Sequence, residues 1–209
     1  MMFKAKSTLL AGLVGTLIAG SGLSPDAPAV HASAASAGQT YYVSSSGGND
    51  AHAGTDPDYP WKTLSKVSSV TFGPGDKILL KGGDLWEGED LILHGSGTET
   101  QPIEIGSYGT GRAHIRSTDR PALHLKNESG WIIAGLELEI VSTESLTAGS
   151  WMPAMRISFD DGRLHRHIRI ADNLIYGSGV DFATEGIVVS ASIPTGWERE
   201  LVSDLTIEG

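Results

Sequence analysis

The chain has 209 residues, no cysteine and a formal charge of −10, with 25 acidic against 15 basic side chains. That balance excludes the basic footprint of a nucleic-acid binder. The lack of thiols excludes a disulfide-built module, so the fold must be held by packing and hydrogen bonding.

Residues 1–32 read as a cleaved secretory signal. Lys4 and Lys6 precede an apolar and small-residue run from Leu9 to Gly20, and Val30-His31-Ala32 offers a small-x-small cleavage site. The run of about a dozen residues falls short of the ~20 that span a bilayer, which argues against a stable membrane anchor. The expected localisation is extracellular, after bacterial export. Residues 33–40 then form a flexible linker rich in Ala and Ser. The remainder, about 170 residues, is enough for one domain with a real core, since a chain of ~150 residues buries near 70% of its unfolded surface. A monomer is expected.

Tyr41-Tyr42-Val43 is a short strand signal, followed by turn formers that include Gly47-Gly48-Asn49-Asp50 and continue to Pro57. Trp61, Leu64, Val67 and Val70 recur every third residue behind Pro60, which predicts a short amphipathic helix entered through proline, the sole helix of the mature chain. Gly73-Pro74-Gly75-Asp76 is a turn cluster, and Lys77-Ile78-Leu79-Leu80-Lys81 reads as a mostly buried strand. Beyond Gly83 helical spacing disappears. Short β-rich runs take its place: Leu91-Ile92-Leu93, Ile103-Glu104-Ile105, His114-Ile115-Arg116 and Leu123-His124-Leu125, divided by Gly, Ser and Thr turns.

Such runs suit a sandwich, a barrel or a solenoid, and repeats decide among them. Ile132-Ile133-Ala134-Gly135-Leu136-Glu137-Leu138 lies over Arg169-Ile170-Ala171-Asp172-Asn173-Leu174-Ile175, and Thr206-Ile207-Glu208-Gly209 is a third member. Ile133, Ile170 and Ile207 are thus 37 positions apart. A second series, Leu123-His124-Leu125, Met155-Arg156-Ile157 and Ile187-Val188-Val189, advances by 32. Two series marching together are expected when a chain winds as a coil, with alternate side chains stacked in a narrow core. The predicted architecture is a parallel β-helix over 84–209, behind an N-terminal strand, helix and first coil over 41–83. Loops at 141–153, 176–185 and 190–203 hold the excess length.

The segments "YYVSSSGGNDAHAGTDPDYPWKTLSKV", "GPGDKILLKGGDLWEG" and "SGTETQPIEIGSYGTGRAHI" fall in order between Tyr41 and Ile115. This stretch resembles the N-terminal region of secreted bacterial right-handed parallel β-helix proteins of the pectate-lyase-like superfamily. The resemblance implies a right-handed solenoid whose open end is closed by the helix. That role also follows from the need to keep core side chains and strand edges out of water. It implies polysaccharide as the partner, since the superfamily includes lyases acting on pectate or alginate and several glycoside hydrolases. Fold alone does not name the reaction. Catalytic residues in that superfamily usually lie on the outer face of coils farther along.

A lyase on an acidic polysaccharide must neutralise a uronate carboxylate, often with Ca²⁺, and remove a proton with Lys or Arg. The candidates are Asp160 and Asp161 with Arg163, and Asp172, Asp181 and Glu185 with Arg156 or Arg169. The competing reading of Asp160-Asp161-Gly162 is a plain turn, and of Asp172-Asn173 a stacked polar corner. An inverting hydrolase needs two carboxylates about 6.5–9.5 Å apart, a criterion that many pairs meet. His165 and His167 lack a visible third metal ligand, so they are expected to face solvent. Gly47-Gly48-Asn49-Asp50 departs from a calcium-binding β-roll repeat and reads as a loop. No cofactor is evident, Ca²⁺ being expected only for a lyase. Among the tryptophans, Trp131 belongs to core packing, whereas Trp151 and Trp197 lie in long loops and are candidates for stacking on sugar rings.

The expected function is that of a secreted carbohydrate-active enzyme, lyase or glycoside hydrolase; the rival is a glycan-binding or adhesion solenoid without turnover. "LTIEG", residues 205–209, aligns with a coil already begun. It reads as a truncation, with the 209-residue chain itself inactive and its chemistry in coils beyond it.

Overall fold

The computed structural model describes residues 38–143, 152–179, 184–192 and 201–209. The expected signal segment, most of the expected linker, and Trp151, Asp181 and Trp197 lie outside them. The described chain opens with β1 (Thr40–Val43) and α1 (Leu64–Ser68). It then winds in turns of three strands. The first turn is β2 (Lys77–Lys81), β3 (Leu85–Glu87) and β4 (Leu91–Leu93), and the second β5 (Ile103–Tyr108), β6 (Ala113–Thr118) and β7 (Leu123–Lys126). The third is β8 (Trp131–Ala134), β9 (Leu136–Ser142) and β10 (Met152–Phe159), and the fourth β11 (Ile168–Ala171), β12 (Leu174–Gly179) and β13 (Thr184–Ala191); β14 (Leu205–Glu208) starts another.

Each turn gives one strand to each of three sheets. The first is ordered β1-β2-β5-β8-β11-β14, the second β3-β6-β9-β12 and the third β4-β7-β10-β13. Neighbours pair in parallel throughout. The fold is the parallel β-helix that the repeats predict. Its first turn extends to Leu93, so the expected boundary at Gly83 falls within that turn.

Both repeat series are in register. Ile170 pairs with Ile133 on one side and Ile207 on the other, and Met155 pairs with Leu123 and Ile187. The isoleucine column continues back through Ile105 and Ile78 to Tyr41. Ile78, Ile105, Ile133 and Ile170 are at most 2% exposed, because strand alternation turns every second residue inward onto its counterpart one turn away. Each such side chain contributes about 1.5–3 kcal/mol relative to exposure. Ile207, at the end of the column, is 53% exposed.

The corners are short because left-handed backbone recurs at matching places. Gly130, His167 and Asp204, at φ of 66°, 57° and 55°, occupy successive copies of one corner, and Gly135 and Asp172 occupy another. Glycine adopts this conformation freely, and Asp is among the residues that tolerate it best. Asn173 ties two turns together: its Nδ2 donates to Ile133 O at 2.9 Å, and its Oδ1 accepts from Leu136 N at 3.0 Å.

The helix is shorter than the spacing predicts. Thr63 is the N-cap, its Oγ1 accepting from Lys66 N at 3.1 Å, so the helix starts after Pro60 and Trp61 have passed. Trp61 instead bridges to Val43 and stacks on Tyr41, with ring centroids 4.9 Å apart. The three-residue period spans both pieces because Trp61, Leu64 and Val67 all turn toward the same core. Leu64 and Val67 are buried where α1 packs on β4, and Trp86 of β3 donates Nε1 to Lys62 O at 2.9 Å.

Candidate functional site

The second sheet carries inward Trp86, Ile115 and Leu138. The residues between them must therefore point outward. Registration stacks Glu87, Arg116, Glu139 and Tyr176 in one row, and His114 and Glu137 in the next. Three carboxylates, an arginine, an imidazole and a phenol are thus gathered on one face from four consecutive turns. Glu137 and Glu139 are two residues apart on one strand, so their Cα atoms are separated by about 6.6 Å.

Glu139 is the fixed member, 7% exposed. Its Oε1 accepts from Ser178 Oγ at 2.6 Å. Its Oε2 lies 3.1 Å from His114 Nε2 and 3.3 Å from Arg116 Nε. Both nitrogens are close yet off the line that a hydrogen bond requires, so the Arg116 contact is coulombic rather than directional. Arg116 also reaches Glu87 at 3.0 Å through Nη1. Glu137 is more open, its side chain 26% exposed. It accepts from Tyr176 OH at 2.8 Å and lies 3.9 Å from His114 Nδ1. Burial, the hydrogen bond to Glu137 and the charges of Glu139 and Glu137 push the Tyr176 phenol up to about 12. Tyr176 therefore remains a donor at neutral pH, the role it has toward Glu137 Oε1.

This face can bind and orient a hydroxylated ligand through Glu137, His114 and Tyr176. A glycosidase of the usual kind also needs a second carboxyl group free to act as acid or base. Glu139 is already engaged by Arg116 and Ser178, which leaves Glu137 as the more open of the two β9 carboxylates. Among the described residues no group of three or more His, Asp or Glu side chains is placed to hold a metal ion.

The residues singled out by sequence are placed elsewhere. Asp160 follows β10 and forms a corner ladder with the preceding turn: it accepts from Asn127 Nδ2 at 2.7 Å, donates its own N–H to Asn127 Oδ1 and pairs with Lys126 at 2.7 Å. Asp161 accepts from Arg163 N at 3.0 Å and pairs with His165 Nε2 at 2.9 Å. Asp172 sits at the far end of β11; its carbonyl accepts from the Arg112 guanidinium at 3.2 Å, and Arg169 pairs with Glu208. The aspartates thus lie at opposite ends of one strand and are not brought together. Glu185 is in β13, paired by backbone with Pro153. Trp131 is fully buried and donates Nε1 to Gly95 O at 2.7 Å, as its packing assignment requires.

His165 corrects the expectation of solvent-facing histidines. It is 4% exposed, stacked on Phe159 at 4.6 Å and held between Asp161 and Ser129, because the corner folds it back over the end of β10. His167 is partly buried in the left-handed corner position, its Nδ1 2.5 Å from Asp204. The second-sheet cluster escaped sequence reading although alternation in "HIR" and "ELE" carried the signal.

No family model matches the sequence. The chain is 46% identical over 83 residues to a lacto-N-biosidase of Bifidobacterium longum subsp. longum, an overlap of 37% of this chain and 5% of that protein. Two crystal structures of a GH136 lacto-N-biosidase from Eubacterium ramulus share the fold. The native form matches with a TM-score of 0.59 at 23% identity, covering 81% of this chain and 34% of that one. The selenomethionine derivative matches with a TM-score of 0.60 over the same shares. The chain therefore spans a small part of the curated relative and about a third of the solved one.

Proposed function

We propose that these coils belong to a secreted carbohydrate-active β-helix enzyme, a glycoside hydrolase that cleaves lacto-N-biosides or closely related glycans. The observation that carries this reading is the 46% identity to a lacto-N-biosidase, on a chain whose turns also match the fold of a GH136 lacto-N-biosidase. The helix α1, with Trp61 and Phe72, would close the end of the solenoid, and right-handed winding belongs to the same reading. Secretion rests on the signal-like residues 1–32 and calls for no membrane anchor. The Glu137, His114 and Tyr176 face would hold sugar hydroxyl groups, whose arrays of donors and acceptors match a carboxylate, an imidazole and a phenol.

The test incubates the 209-residue chain and the product of the full reading frame with a chromogenic lacto-N-bioside, a matched chromogenic monosaccharide, polygalacturonate and alginate, each with and without Ca²⁺. Release of the disaccharide by the full product supports the proposal. Unsaturated uronate products would establish a lyase instead, and glycan binding without turnover would establish the adhesion reading.

A further inference from the structure

The outward face of the third sheet gathers an arginine, a lysine and two histidines in an otherwise acidic chain. Registration places Ile92, His124, Arg156 and Val188 in one row. In the adjacent row Lys126 pairs with Ser158, which pairs with Ser190, and His94 follows β4 on the same face by strand alternation. Four basic side chains from three turns thus share one surface in a chain of net charge −10.

Arg156 is the informative member. Arg116 and Arg156 are the two partly buried arginines among the described residues. Arg116 lies between Glu87 and Glu139. Among the described residues Arg156 has no carboxylate within ion-pair distance, and its buried Nε has no hydrogen-bond partner there. A partly desolvated guanidinium without a counter-charge is costly, and a group of like sign beside it adds to the cost. His124 confirms the local sign: burial, then Arg156, Lys126 and His94, hold its imidazole below the usual histidine range. Its Nε2 is within 3.0 Å of Ser158 Oγ. Asp160, at the end of β10, is already engaged with Lys126 and Asn127.

We propose that this face is an anion subsite, centred on the Arg156 guanidinium with His124 and Lys126 beside it, that binds the carboxylate of an acidic saccharide. The planar fork of arginine matches a carboxylate, and the flanking Ile92 and Val188 offer apolar contact to a sugar ring. The choice of a saccharide rests on the carbohydrate reading above.

The experiment is calorimetric titration of the chain with a galacturonate oligomer and with its methyl ester, the neutral form of the same backbone. The expected result is at least about tenfold tighter binding of the charged oligomer, a preference that falls as salt is raised. Arg156→Leu should abolish that preference while leaving the melting temperature unchanged or higher, Arg156→Lys should retain part of it, and Lys126→Gln should reduce it. Equal affinity for the two oligomers, an undiminished preference in Arg156→Leu, or inorganic sulfate displacing the oligomer at equal concentration would each overturn the site. Failure of lacto-N-bioside cleavage with the charge preference intact would count against the hydrolase alone. Intact cleavage without the preference would count against this site alone.

Discussion

Ile132 and Ile133 are chemically identical neighbours that the fold turns to opposite faces, and they give a sharp test of register. Ile133 is fully buried between Ile105 and Ile170, whereas Ile132 is partly exposed on the outer face. Ile133→Ala removes three carbons from the core, about 2.4 kcal/mol at ~0.8 kcal/mol each. A residual cavity adds to this, because stacked neighbours in a narrow core relax only partly, so the expected loss is about 3–4 kcal/mol. Ile132→Ala removes the same atoms from a site that solvent already reaches, and about 1 kcal/mol or less is expected. Urea denaturation of both variants measures the difference, provided that their m-values agree. Sliding β8 by one residue would exchange the two faces. Equal losses, or a larger loss for Ile132→Ala, would refute the register and with it the stacked core.

Asp84 supplies a pH test. Burial works to raise its carboxyl, but hydrogen bonds from Ser44 Oγ, Ser46 Oγ and Ser46 N, with Lys81 nearby, hold it below the ordinary carboxylate range. A depressed folded value means a contribution fully present above the unfolded value of about 3.9 and lost as pH falls through the folded one. Asp84→Asn should therefore flatten the acid limb of a plot of urea midpoint against pH; an unchanged limb contradicts the assignment. Tyr176 has the opposite sign: with its phenol at about 12, its contribution is complete below the unfolded value of about 10 and fades as pH rises toward 12. Tyr176→Phe should remove the phenolate absorbance step nearest 12 while the other steps remain. Asn173→Ala leaves Ile133 O and Leu136 N without their side-chain partner and should cost about 2 kcal/mol by denaturant unfolding. A loss under about 0.5 kcal/mol would show that water replaces both bonds.

Much of the solenoid was legible because a narrow core leaves each inward side chain one neighbour above and one below. Ile133, Ile170 and Ile207 keep that contact at a constant 37 positions, and Leu123, Met155 and Ile187 at a constant 32, so both columns show in the sequence as repeats. The second sheet was hidden because its spacing is uneven. Leu85 to His114 is 29 positions, His114 to Glu137 is 23 and Glu137 to Leu174 is 37. Corner loops absorb that variation, so "HIR" and "ELE" face the same way without any constant period to reveal it. Trp61 misled for the reverse reason, since a bridge and a helix in succession preserved a helical spacing that only the second of them obeys. His165 was misjudged because a residue between two strands can still fold back over an aromatic neighbour, and local sequence carries no sign of that contact.

The central claim is that these coils serve a glycosidase, and the most direct measurement is disaccharide release from a chromogenic lacto-N-bioside by the product of the full reading frame. The account predicts release of the intact disaccharide, with Glu137→Gln raising KM more than it lowers kcat because Glu137 binds rather than reacts. Absence of release across lacto-N-biosides, with unsaturated uronates formed from polygalacturonate or alginate instead, would contradict it.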